Sequence, residues 1–201
     1  MELHLIRHGQ SNWNEERRIQ GQSESFLTDL GVQQAQVVGE RLRHFNFDQV
    51  FCSTSLRTRQ TAEHLFKHRE VGIEYLDTLR EIGLGPWEGK LHDDVAEAEP
   101  VFYKQFSHEP HLFNIPGAET FDELQQRIVT AVEKIVAIYH QRQVAVVSHG
   151  TILKSFLCYI QRRPISEMRE LPQLHNCAHS IVEINADGSG RVVQYADQRV
   201  D

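Results

Sequence analysis

The chain of 201 residues is predicted to be α/β with a mixed, mostly parallel sheet, and three observations predict it. Apolar runs of strand length alternate with stretches whose apolar residues recur at helical spacing. Two of the runs, LHLIRHG at 3–9 and VAVVSHG at 144–150, end in the same His-Gly pair. Near the C-terminus, 179–184 and 191–195 flank Asp187 and Gly188 as the arms of a hairpin do, which places antiparallel strands at one edge of the sheet.

Residues 1–7 form the first strand, stopped at His8 and Gly9, and the polar stretch Gln10 to Ser25 is expected to be loop. Thr28 caps a helix carrying Val32, Ala35, Val38, Leu42 and Phe45. A strand at 50–53, a helix at 55–67 and the alternating Val71, Ile73 and Tyr75 follow. Between Gly83 and Gly117 glycines and prolines break the pattern, and short helices near 91–106 mark an inserted cap. Its aromatics, Trp87, Phe102, Tyr103, Phe106 and Phe113, suit either an apolar specificity pocket or the insert's own core. Thr120 and Glu123 have capping-box spacing ahead of a helix whose apolar face runs Phe121, Leu124, Ile128, Ala131, Ile135 and Ile138. The strand at 144–147 leads into a helix with Ile152, Leu153, Phe156, Leu157 and Ile160, stopped by Pro164. No repeat or linker interrupts this order, so 1–201 is expected to be one domain with a cap insert at about 83–117.

Hydrophobic residues at 40% and charged residues at 24% are ordinary for a folded chain. Acidic residues exceed basic ones by 28 to 21, a net charge of -7, which argues against nucleic acid or an anionic membrane as partner. Apolar runs are too short to span a bilayer and no signal-peptide core is present, so a cytoplasmic protein is expected, monomer or homodimer. Cys52, Cys158 and Cys177 are odd in number and lack metal or redox spacing.

Ligands of open α/β sheets bind at the carboxyl ends of the strands, where both His-Gly pairs fall. Glycine lets a ligand approach the backbone, and the helix from Gly150 offers unpaired N–H groups to an anion. A third junction, with Ser53, Arg57 and Thr61, brings a second guanidinium toward Arg7. Two histidines and two arginines therefore point to a phosphate-type site.

Arg7, His8 and Gly9 with Asn14, then Gln20 and Gly21, resemble the opening signature of the histidine phosphatase superfamily. The resemblance continues through Ser53, Arg57, Gln60, Thr61 and Ala62, the stretch LREIGLGPWEG at 79–89, and Ser148, His149 and Gly150. It covers nearly the whole chain and looks closest to the broad-specificity phosphatases of the phosphoglycerate-mutase-like branch. It implies a three-layer α/β/α sandwich and no cofactor or metal. It further implies His8 as nucleophile, Glu81 as proton donor, and Arg7, Asn14, Gln20, Gly21, Arg57, His149 and Gly150 around the phosphoryl group of a small phosphorylated metabolite. Glu24, Ser25 and Phe26 depart from the pattern, where relatives carry aspartate and proline. The longer insert and arginine pair of the mutases are missing, so hydrolysis is expected ahead of mutase transfer.

The residue types suit that chemistry. A neutral imidazole attacks phosphorus, and Arg7 and Arg57 beside His8 disfavour its protonation. Fixed cations stabilise charge on the transferring oxygens without requiring a metal. Glu81 must begin protonated to serve the leaving alcohol, and its carboxylate then activates water. A cysteine phosphatase loop fails because only four residues separate Cys52 from Arg57 where that loop needs five. His64 and His68 have zinc-type spacing, but Glu63 precedes the pair where the metalloprotease pattern needs it after the first histidine. A non-catalytic phospho-ligand binder has no use for His8 and Glu81 together.

Overall fold

The computed structural model describes residues 1–200. Seven strands form one sheet in the order β3-β2-β4-β1-β5-β6-β7. They are β1 (Glu2–Arg7), β2 (Gln49–Ser53), β3 (Ile73–Leu76), β4 (Gln143–Ser148), β5 (His179–Ile184), β6 (Gly190–Tyr195) and β7 (Gln198–Arg199). The first four are parallel, and β5, β6 and β7 add on antiparallel beyond β1, as the hairpin predicts. Strand β7, too short for periodicity to register, is an addition to the sequence reading.

The sheet is covered on both faces, and the two-residue period of its strands explains how. Leu3 and Leu5 of β1, Phe51 of β2, and Val144 and Val146 of β4 face α6 (Phe121–Tyr139) and α7 (Gly150–Ile160). Ile6, Val50, Cys52, Ala145 and Val147 alternate with them and face α2 (Asp29–Arg41) and α3 (Leu56–Leu65). These strands read as near-continuous apolar runs because both faces are dry. The result is the expected three-layer sandwich.

The expected caps are present. Thr28 Oγ1 accepts from Gly31 N, and Thr120 with Glu123 closes a full capping box on α6. The stretch 10–25 is not all loop: α1 (Asn12–Glu15) sits inside it, closed by a box in which Asn14 takes the place of the usual Glu or Gln. One helical turn carries too little apolar periodicity to be seen in sequence. The cap holds α4 (His92–Ala98) and α5 (Pro100–His108) with 3-10 turns at 85–87 and 110–112. Its aromatics close on one another: Trp87 and Phe113 are buried with ring centroids 5.3 Å apart, and Phe106 lies 5.5 Å from Phe113. Phe102 stays outside, 39% exposed, so the cluster is a local core. Among the described residues no helix is long and apolar enough to cross a membrane.

Candidate functional site

Register brings the two His-Gly junctions side by side. Arg7 at the end of β1 pairs with Ser148 at the end of β4, and His8 N–H donates to Ser148 O at 3.0 Å. His8 and His149 consequently face each other with ring centroids 5.3 Å apart. Strand β2 ends beside them, and Ser53 Oγ lies 2.7 Å from His149 Nε2. The carboxyl edge of three parallel strands thus gathers the site, with α7 leaving from Gly150 and α3 from Leu56.

The tautomer of His8 follows from its one ring contact. Nδ1 lies 2.7 Å from Gly9 O, and a carbonyl only accepts, so Nδ1 carries the proton and Nε2 keeps a lone pair. Burial first, then the charges of Arg57 and Arg7, hold His8 well below the usual histidine value. The sequence argument named only the arginines; desolvation is the larger cause. His149 is depressed in the same way, by burial and then by Arg57, His8 and Arg7. Ser53 Oγ accepts from Ser55 N and lies 2.7 Å from His149 Nε2 and 3.5 Å from Ser55 Oγ; with the hydroxyl proton given to His149 Nε2, the N–H of His149 falls on Nδ1.

Arg57 is fully buried and grips backbone rather than a carboxylate. It donates to Gly21 O at 2.8 Å and Ser23 O at 2.9 Å. Gly21, expected around the phosphoryl group, therefore acts through its carbonyl as a hold on Arg57. Its φ of +51° and the close approach of Glu88 leave no room for a Cβ. Burial brings Arg57 down to about 10, against the raising charge of Glu81. Arg7 donates to Leu174 O and lies against Gly150, where a Cβ would stand 3.2 Å from its Nε. Three buried nitrogens then have no partner in the protein: Arg7 Nε, Arg57 Nε and His149 Nδ1.

Glu81 occupies a place the sequence reading had assigned to an anion from outside. Its Oε2 accepts from Thr151 N at 2.9 Å and its Oε1 from Ile152 N at 3.0 Å and Ile82 N at 2.9 Å. The N–H groups at the head of α7 are taken by this carboxylate, which arrives from 70 residues away in sequence, a contact no local pattern reveals. Arg127, ion-paired to Glu119 at 2.8 Å, clamps the segment by donating to the carbonyls of Thr78, Arg80 and Glu81.

Asn14 Oδ1 accepts from Ser11 N and Asn176 Nδ2, an assignment that turns its own NH2 away from those groups. Gln20 Oε1 accepts from the hydroxyls of Ser11 and Ser25 at 2.9 and 2.8 Å. The unusual Glu24 caps α3 from outside, its Oε2 accepting from Leu56 N at 2.7 Å where Ser55 gives no side-chain cap.

Several participants escaped the sequence reading. Asn176 donates to His8 O and to Asn14 Oδ1, and Cys177, in a left-handed turn with φ +57°, donates its N–H to His8 O at 3.1 Å. Arg127 and Glu119 are the others. No local motif marks these residues, because each acts by meeting a distant backbone group.

Comparison with known proteins agrees with this layout. The family model described as "Histidine phosphatase superfamily (branch 1)" matches residues 3–198. A relative named "Probable phosphoglycerate mutase GpmB" from Salmonella choleraesuis (strain SC-B67) is 34% identical over 199 residues, 98% of this chain and 92% of that protein. The solved structure of Bacillus stearothermophilus YhfR is similar with a TM-score of 0.94 and 34% identity, covering 99% of this chain and 98% of that one. The alpha-ribazole phosphatase from Shigella flexneri shares the fold, with a TM-score of 0.88 at 23% identity over 100% of this chain and 98% of that one. Two adjoining His-Gly strand ends, their arginines and the matching family span lead to one conclusion: the chain belongs to the histidine phosphatase superfamily.

Proposed function

We propose that the chain is a metal-independent phosphomonoesterase for small phosphorylated metabolites, working through a phosphohistidine on His8. The supporting observation is the set of three buried, unpartnered nitrogens of Arg7, Arg57 and His149 beside the lone pair of His8 Nε2. Buried donors without partners are costly, and a tetrahedral oxyanion satisfies them together. Asn14 keeps its NH2 free for the same ligand, Gln20 and Gly150 shape the wall, and Gly21 holds Arg57.

His8 Nε2 attacks phosphorus as the ester P–O bond breaks, and the departing alkoxide takes a proton from Glu81. In the free site the Glu81 oxygens accept three backbone N–H groups, which hold the carboxyl group in place for this transfer. Water then attacks the phosphohistidine, loses a proton to Glu81, and the N–P bond breaks to release phosphate. Arginine and imidazole donors carry the charge stabilisation that a metal supplies elsewhere.

The test is a rapid quench with p-nitrophenyl phosphate in excess chelator. Expected are phosphate release, an acid-labile, base-stable phosphoryl group on the protein, and loss of both in His8→Ala. Turnover undiminished in that variant overturns the reading. A second reading, transfer from His8 to another alcohol, is favoured by the mutase name of the 34% identical relative. An isomerised phosphoester accumulating faster than free phosphate would select it.

A further inference from the structure

We propose that Lys154 and Arg169 form a second anion subsite, which selects phosphomonoesters bearing a carboxylate near the phosphate. The inference rests on the phosphatase reading and names its substrate class.

Lys154 lies in α7 one turn beyond Gly150 and on the same face. Helical side chains lean toward the N-terminus, so its stem runs back over Thr151, whose N–H holds Glu81, and Gly150, which borders Arg7. The side chain is 3% exposed, and its Nζ has no hydrogen-bond partner. Arg169 comes from the 3-10 segment Ile165–Glu170 and reaches under the cap. One guanidinium nitrogen donates to Phe106 O in α5, the group stacks over Phe106 and Phe121 at 5.2 and 5.3 Å, and its Nε is buried without a partner.

The two cations repel each other across this space. Burial and then the charge of Arg169 bring Lys154 down to about 8. Burial brings Arg169 down to about 10, against the raising charges of Glu81 and Tyr103. Glu81 makes no hydrogen bond to either cation, its oxygens being turned to three backbone N–H groups. Two buried cationic donors left open beside a phosphate site are a preorganised demand for negative charge. A carboxylate meets it with one bond per oxygen, one from Nζ and one from Nε. The cap aromatics are closed on themselves, so the cap's part in selection is its backbone hold on Arg169.

The test compares 3-phosphoglycerate with glycerol 3-phosphate, which differ at one end as carboxylate and hydroxymethyl. Wild-type kcat/KM is expected to favour the carboxylate ester by about tenfold or more, the scale of one charge-assisted hydrogen bond. Lys154→Met and Arg169→Gln should move that ratio toward one, and Lys154→Arg should keep it. A wild-type ratio near one, or a ratio retained in both charge-removing variants, overturns the subsite. The wild-type comparison decides even if a variant fails to fold. Hydrolysis of neither ester defeats the phosphatase reading itself.

Discussion

At the scale of single residues, the site is a set of donors and acceptors whose roles are fixed by what each has left unbonded. Gly9 O ties up one nitrogen of His8 and leaves the other with its lone pair. Glu81 spends its oxygens on the head of α7. Glu81→Gln keeps a carbonyl acceptor for α7 but has no carboxyl proton to give. It is expected to cut kcat by about a hundredfold or more for alkyl phosphates, within the usual range of general acid catalysis. The loss for p-nitrophenyl phosphate should be much smaller, because that leaving group needs little help. Equal losses on both would take the proton donor role away from Glu81. Asn176→Ala removes the donor shared by His8 O and Asn14 Oδ1 and is expected to lower kcat/KM about tenfold, consistent with one lost hydrogen bond. Steady-state kinetics on a generic monoester measure it; unchanged kcat/KM would reduce Asn176 to a packing residue.

At the scale of elements, strands deliver the reactive groups and helices hold the strands. Strand β1 carries Arg7 and His8 to the edge because Leu3, Leu5 and Ile6 are buried on alternating faces. The first loop is pinned to α2 by two glycines: a Cβ on Gly31 would stand 2.1 Å from Gln10 O, and one on Gly9 would stand 2.5 Å from Gly31 O. Helix α6 backs the Glu81 segment through Arg127, and its box at Thr120 fixes where it starts. Thr120→Ala should cost about 1 kcal/mol. For a chain of this length the melting temperature should fall by roughly 2–4 °C. A thermal melt checks it, and an unchanged midpoint would mean that tertiary packing alone sets the start of α6. The box, the Thr28 cap and the apolar face of α6 were legible because their partners lie within four residues. Helix α1 and β7 were not, because each is too short for periodicity to register, and the closure of the cap aromatics was not, because Trp87 meets Phe113 from far away in sequence.

For the whole molecule, burial of imidazole links stability to pH. His4 and His179 stack at 5.0 Å on the far side of the sheet from α6, with His4 Nδ1 2.9 Å from His179 Nε2. Burial brings them to about 4 and about 3, and it holds His8 and His149 well below 6.5. Below pH 6.5 the unfolded chain binds a proton at each of these four positions and the folded chain does not. Stability from these groups is therefore complete above pH 6.5 and falls with pH until the folded values near 4 and 3 are reached. Four such groups give a slope of up to about 5 kcal/mol per pH unit. Urea midpoints are expected to be flat between pH 7 and 8 and to drop steeply from pH 6 to 5. Equal midpoints at pH 7.5 and 5 would mean that the histidines are charged in the folded state.

The sequence by itself determined the α/β alternation, the antiparallel edge and the two His-Gly strand junctions. Period-two and helical patterns, caps and His-Gly strand ends are all local, so they survive without coordinates. Only the tertiary structure decided what occupies the head of α7, which carbonyls hold Arg57, and that Asn176 meets His8 O and Asn14 Oδ1. Those are contacts between groups dozens of residues apart, set by strand register and by the demand that buried polar atoms find partners.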